Sequence, residues 1–314
     1  RDRIVFSVVM PVYNRERSVR RAVDSLKLET AEVFELIVVD DGSSDGSAAA
    51  AREAAAGLPP DRVKIIEQDN AGPGAARNRG AAAATGAYLV FADSDDLWYP
   101  WTAEVVAAEM ETRRPALAFL RTVDYRAGEM PPVQTQGPSG VEDHAGYLEA
   151  VASDPPVRFA SCNVLIRRDL FEQAGGFATA LRCAEDTDLF LRLADKGGCA
   201  VISAPAMVAH EMERGDNLTG EANSVIAGVN HVVSTDAGGG YGGDQGLRNA
   251  LIAKLVANAV KTAFAEGDAA AAYGFLLRRF SLLWRGRNWR WMIRLPIYPL
   301  LAILRPNSFA FRWR

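Results

Sequence analysis

"NAGPGAARNRGAAAATGAYLVFADSDD", residues 70–96, runs from a Gly-Pro-Gly turn through an alanine-rich segment into an apolar stretch that ends on aspartates. Alanine favours helix and the bulky run "AYLVFAD" (87–93) favours strand, so the segment reads as helix, strand, then a polar turn. Three earlier runs have the same strand character: "IVFSVVM" (4–10), "FELIVVD" (34–40) and "RVKIIEQ" (62–68), each expected to be buried. Between them, "SVRRAVDSLKL" (18–28) and "DGSAAAAREAAAG" (45–57) have helical composition, with Ser18 and Asp45 as N-caps and Gly57 as a stop. This βαβαβαβ order predicts an α/β fold with parallel strands covered by helices.

Ligands of such open sheets gather beyond the carboxyl ends of the strands. "PVYN", "DDGS", "DNAGPG" and "DSDD" follow the four strands in turn, so the polar clusters fall on the ligand side. Farther on, a helix is expected around 102–114 and a strand at 116–120. Residues 126–158, rich in Pro and Gly, read as a loop excursion. "CNVLIRRDLFEQAGGF" (162–177) reads as strand, short helix and Gly-Gly turn, "AEDTDLFLRLADKG" (184–197) as an amphipathic helix, and "CAVISAP" (199–205) as a closing strand. Beyond residue 220 the patterns are helical at 245–265 and 268–284, with "HVVST" fitting either state and "AGGGYGG" (237–243) expected to be a mobile loop or hinge.

At 314 residues and 49% hydrophobic, the chain can build one large domain with an appendage or two modest domains, and its ordinary charge content disfavours a disordered scaffold. Cys162, Cys183 and Cys199 lack the paired spacing of a zinc or redox site and are expected to be small buried residues in a reducing compartment. The opening apolar run is too short for a signal peptide. A net charge of −4 hides an asymmetry: residues 278–314 hold nine of the 35 cationic side chains and none of the 39 acidic ones, which leaves −13 in the body. An acidic body with a basic tail points to a separate partner for the tail.

Closely spaced carboxylates at a strand end suit a hard divalent cation, which completes its shell with water and phosphate oxygens. Asp93, Asp95 and Asp96 therefore predict a phosphorylated ligand. The alternative is a solvated acidic turn capping the helix that follows.

"SVVMPVYNRE", "ELIVVDDGSSDGS", residues 70–96, "GGF" and "EDTDLFLRL" occur in the order and spacing of the family 2 glycosyltransferases, and the resemblance covers about residues 4–220. It implies a GT-A fold, with a Rossmann-like, mostly parallel sheet flanked by helices, in residues 1–220, and leaves 221–314 as a helical extension. It further implies that Pro11 and Tyr13 lie along a nucleotide base, that Asp41, with Asp40 beside it, accepts a hydrogen bond from that base, and that Arg77 stands near the nucleotide. Asn78 is either a contact or a hydrogen bonder within its helix. The aspartates resemble the DXD element, with Asp93 near the ribose, Ser94 in the donor site, and Asp95 or Asp96 at a manganese or magnesium ion. His210, in "AHEMERGDNLT", resembles a late metal-binding histidine.

The "ED" pair resembles the element that supplies the catalytic base in inverting members. Asp186 is taken as the base, Glu185 as its positioning residue or a contact to the sugar, and Asp188 as facing away. The implied substrates are a nucleotide-diphosphate sugar, commonly a UDP-sugar, and a glycan or lipid-linked saccharide. A catalytically silent sugar-nucleotide-binding protein is the other reading. A dinucleotide-binding dehydrogenase is excluded because "PVYNRE" stands where its glycine-rich turn belongs.

The tail, with four of the six tryptophans among nine arginines, suits the headgroup zone of an anionic membrane. Its longest apolar run, Leu295 to Leu304, is too short and too proline-broken to span one. Packing on the protein itself is the alternative; nucleic acid is not expected, since no nucleic-acid module accompanies the tail. The expected location is the cytoplasm, peripheral at the inner membrane face.

Overall fold

A computed structural model describes residues 5–27, 33–126, 128–153, 159–212, 221–287 and 289–297. The strands are β1 (Phe6–Val12), β2 (Phe34–Asp40), β3 (Val63–Glu67), β4 (Tyr88–Phe91), β5 (Leu97–Trp98), β6 (Leu117–Leu120), β7 (Thr122–Arg126), β8 (Gly140–His144), β9 (Val164–Arg167), β10 (Cys199–Ala204) and β11 (Val208–Met212). The helices are α1 (Glu16–Leu26), α2 (Ser47–Ala55), α3 (Pro73–Ala82), α4 (Thr102–Arg113), α5 (Tyr147–Ala152), α6 (Arg168–Gln173), α7 (Glu185–Arg192), α8 (Ala222–Ala237), α9 (Gln245–Ala265), α10 (Ala269–Arg285) and α11 (Trp289–Arg294). The chain divides into two compact units, one of residues 1–180 and 185–214, the other of residues 181–184 and 215–314.

In the first unit eight strands form one sheet in the order β3-β2-β1-β4-β9-β6-β10-β8. β2 and β4 both pair parallel to β1, so Val12 stands beside Asp40 and the carboxyl ends of these strands lie together. Only β9 and β8 run against the rest. β2 is buried along its whole length, and its side chains alternate between faces: Leu36 and Val38 join the core that includes residues of α1, α2 and α4, while Ile37 and Val39 meet Ala76 of α3. Gly80 lets α3 approach the sheet, since a Cβ there would lie 2.4 Å from a methyl of Val9.

Several expectations need correction. β3 is an edge strand with only partly buried residues, because no strand covers its outer side. The 126–158 segment holds β8, paired antiparallel to β10, and α5; its strand is short and polar, so alternation alone gave no signal. β10 is therefore not the last strand of the sheet. α1 starts before Ser18, with Arg15 at its N-cap, whereas Asp45 accepts from the N–H groups of both Ser47 and Glu16 and serves the starts of α2 and α1 together.

A second sheet of three strands, β5-β11-β7, pairs β11 antiparallel to β5 and parallel to β7. The antiparallel register sets Ala209 opposite Leu97. One step further, it puts His210 opposite Asp96.

The second unit is helical. "HVVST" lies inside α8, and "AGGGYGG" is a packed turn: Tyr241 is buried and Arg248 donates to the carbonyls of Gly242 and Gly243. Asp244 and Asp268 cap α9 and α10 by accepting N–H groups of Leu247 and Ala271. No helix among the described residues is long and apolar enough to cross a membrane. The tail from residue 298 onward lies outside the described residues.

Candidate active site

The loops after β1, β2 and β3 are tied to one another. Asn14, at φ +52°, receives Ser44 N–H on its side-chain oxygen, while its own N–H donates to Ser43 Oγ. Asp41 accepts from Gln68 Nε2 at 2.7 Å, Ala71 N–H at 2.9 Å and Gly72 N–H at 2.8 Å, so its carboxylate anchors the third loop. Asp40 accepts from Ser43 N–H on one oxygen, and its other oxygen is buried with no hydrogen-bond partner among the described residues. Gly42 closes the turn between them at φ +77°, where a Cβ would meet the backbone of Asn70 at 2.8 Å. Tyr13 is half exposed, and Pro11 is partly buried at the end of β1.

From α3, Arg77 reaches 3.2 Å to Asp93 and 3.3 Å to Glu185, joining the aspartate cluster after β4 to the start of α7. Its guanidinium lies over the ring of Phe177. Burial works against its charge, but Asp93, Glu185 and Asp186 outweigh it and raise its pKa. Asn78 does not bond within its helix: it clamps the backbone of Phe177, donating to the carbonyl and accepting the N–H, each at 2.9 Å. Asp188 is buried and paired with Arg192, whose guanidinium holds the carbonyls of Ala174 and Gly176. Through Arg192 it supports the Gly-Gly turn.

Asp96 and Ser94 are buried, and Asp93 and Asp95 are partly so. Burial, helped by the charges of Asp93 and Asp96, pushes Asp95 up to about 7, against the pull of His210 and Arg15. Asp96 is pushed up to about 6 by burial, which outweighs its hydrogen bond with His210. Its Oδ1 is 2.8 Å from His210 Nδ1, and its Oδ2 is buried without a partner among the described residues. Asp96, His210 and Cys162 offer ligand atoms that all lie within 4.8 Å of one another. An orphaned, buried carboxylate oxygen beside an imidazole and a second carboxylate of raised pKa is a donor set that a divalent cation fits.

At the start of α7, burial pushes Glu185 up to about 7, with the charge of Asp186 adding and Arg77 opposing. Asp186 is raised by burial as well, while the N–H of Thr187 at 2.6 Å holds it in place. Two carboxylates thus share one arginine, and the pair retains a proton to higher pH than carboxylates in water.

Sequence reasoning missed three residues here. Arg15 acts electrostatically on Asp95, Tyr147 of α5 interacts with Asp186, and Cys162 lies in the Asp96–His210 cluster. Arg15 directly follows "PVYN" and was the most legible of them. Tyr147 lay in a segment read as loop, and a lone cysteine gives no sign of its neighbours.

A family model described as "Glycosyl transferase family 2" matches residues 7–175. A Nostoc protein named "Uncharacterized glycosyltransferase alr2836" is 35% identical over 147 residues, 45% of this chain and 44% of its own length. "Uncharacterized glycosyltransferase EpsJ" of Bacillus subtilis is 39% identical over 187 residues, 58% of this chain and 53% of its own. The chain thus spans about half the length of these curated relatives. Among solved structures, S. aureus TarS 1–349 in complex with UDP-GlcNAc shares the fold at a TM-score of 0.61 and 19% identity, over 81% of this chain and 72% of that one. The mannosyltransferase PcManGT of Pyrobaculum calidifontis, in complex with GDP-Man and Mn2+, does so at 0.58 and 18%, over 97% and 88%.

Proposed function

The chain belongs to glycosyl transferase family 2, and from that premise we propose that it transfers a sugar from a nucleotide-diphosphate sugar, a UDP-sugar, to a hydroxyl of a glycan or lipid-linked saccharide, with inversion. The observation that carries the reading is Arg77, which ties Asp93 of the aspartate cluster to Glu185 beside Asp186. One buried cation thereby sets a donor-side carboxylate group against a pair suited to proton transfer.

The base lies against Pro11 and Tyr13. Asp40 and Asp41 are its acceptors, and the spare, buried oxygen of Asp40 makes it the stronger of the two, since Asp41 already receives three protein donors. Asp93 and Ser94 face the ribose. Asp95, Asp96 and His210 would hold a divalent metal, manganese or magnesium, which would supply positive charge to the diphosphate oxygens. Asp186 accepts the proton of the acceptor hydroxyl as its oxygen bonds the anomeric carbon, and the bond from that carbon to the diphosphate breaks with its electron pair leaving on the diphosphate. Glu185 positions Asp186 and contacts the sugar. Arg77 keeps both carboxylates in register and ready to ionise.

UDP in the TarS complex supports a uridine donor, and GDP-Man in the PcManGT complex makes GDP the comparison to run. The basic, aromatic C-terminal region supports work at the inner face of a membrane. The test is donor turnover: Asp186→Asn is expected to lower transfer and donor hydrolysis about 10²- to 10⁴-fold while nucleotide binding is retained. Unchanged turnover in that variant would contradict the assignment of the base.

A further inference from the structure

We propose that the outer face of α10, continued by α11, docks on an anionic lipid surface. This extends the membrane part of the reading above and needs none of the transfer chemistry. Tyr273, Leu277, Phe280 and Trp284 follow one another at spacings of four, three and four, which places them on one stripe of α10. They are 38%, 77%, 39% and 58% exposed, and Ile293 on α11 is 72% exposed. The other face of α10 is already used: Ala272, Phe275, Leu276 and Leu283 are buried in the helical unit. A helix that buries one apolar side and leaves large apolar side chains of another as exposed as Leu277 and Ile293 marks an interaction surface.

Charge identifies what covers it. Arg278, Arg285, Arg287, Arg290 and Arg294 are all exposed. Residues 269–314 contain no acidic side chain. Aromatic and aliphatic side chains that enter the acyl boundary, ringed by arginines that meet phosphates, fit an interfacial helix lying in the plane of an anionic membrane.

A second copy is disfavoured, because a two-fold contact would press this arginine cluster against itself. The chain's own residues 298–314 carry three more arginines and no acid, and they would meet the same repulsion. Nucleic acid would use the arginines but give Leu277 and Ile293 no role.

Flotation of the full chain with phosphatidylcholine vesicles, with and without phosphatidylglycerol, tests the proposal, using Leu277→Glu/Ile293→Glu and Arg278→Ala/Arg285→Ala variants whose thermal unfolding matches the parent. The parent is expected to float with the anionic vesicles only, less so in high salt, and each double variant to lose about tenfold or more of its partitioning. Absence of flotation with anionic vesicles, or equal flotation of parent and variants, overturns the proposal. So does a dimer in light scattering that Leu277→Glu/Ile293→Glu dissolves, or binding of a plain oligonucleotide that only the arginine variant loses. UDP binding, read separately on the same proteins, keeps a failure here distinct from a failure of the donor site.

Discussion

Nδ1 of His210 lies 2.8 Å from Oδ1 of Asp96, each one residue beyond the Ala209–Leu97 pair of the β5–β11 ladder. A carboxylate on one imidazole nitrogen fixes the tautomer and orientation of the ring. Asp96 is thus placed to orient His210 through Oδ1, while its buried Oδ2 is still without a partner among the described residues and is the atom proposed at the metal together with Asp95. Asp96→Asn is expected to weaken manganese binding about 10- to 100-fold, and Asp95→Ala or His210→Ala by more. Manganese titration by calorimetry checks the order; a greater loss in Asp96→Asn than in Asp95→Ala would make Asp96 the principal carboxylate ligand.

Glu185 and Asp186 give the turnover rate an acid limb. Both are raised by burial, Glu185 to about 7, so below that pH the pair holds a proton and the base is unavailable. Turnover at saturating donor is expected to climb with pH through about 7 and level above it. Asp186→Asn is expected to lower kcat by about 10²- to 10⁴-fold on the plateau above that pH, with the difference narrowing on the acid limb. A pH–rate profile flat from acid to neutral would contradict the pairing.

Much of this was legible in advance. The strands β1, β2 and β4 and the helices α2 and α3 follow from continuous apolar runs and alanine-rich segments, and the polar clusters at their ends do lie on one side of the sheet. What was hidden depends on partners remote in sequence. Nothing in "RVKIIEQ" says that no strand will cover its outer side, and the short polar strand β8 exists only because β10 pairs with it. Likewise Asp41 is occupied by Gln68, Ala71 and Gly72, and Asn78 by Phe177. His210 illustrates the same limit: "VAHEM" has no marked periodicity, and only strand pairing shows which aspartate it meets.

At the opposite end of the sheet, Glu35 accepts from Ser7 and Lys64, at 2.7 and 2.9 Å, and from Thr85. Burial opposes its charge, but these donors prevail and hold its pKa at about 2. A lowered carboxylate stabilises the fold above its ordinary pKa, and that contribution fades as pH falls toward about 2. Glu35→Ala is expected to cost ~3 kcal/mol at neutral pH and to flatten the acid limb of stability; denaturant unfolding at several pH values measures both.

Gly80→Ala tests the close approach of α3 to β1. Its Cβ would sit 2.4 Å from Val9 and 3.1 Å from Val39, so helix or strand must shift. The expected cost is about 1–3 kcal/mol in chemical denaturation, with weaker nucleotide binding because Arg77 moves with the helix. Unchanged stability would mean that α3 does not pack as described.

The central claim is that the aspartates after β4 hold a cation that in turn holds a nucleotide diphosphate. Calorimetric titration of UDP and GDP, each with and without manganese, into the protein and into an Asp95→Ala/Asp96→Ala variant tests it most directly. The account predicts UDP binding that requires manganese and disappears in the double variant. Absence of binding by either nucleotide with the metal present, or equal binding by the variant, would contradict it.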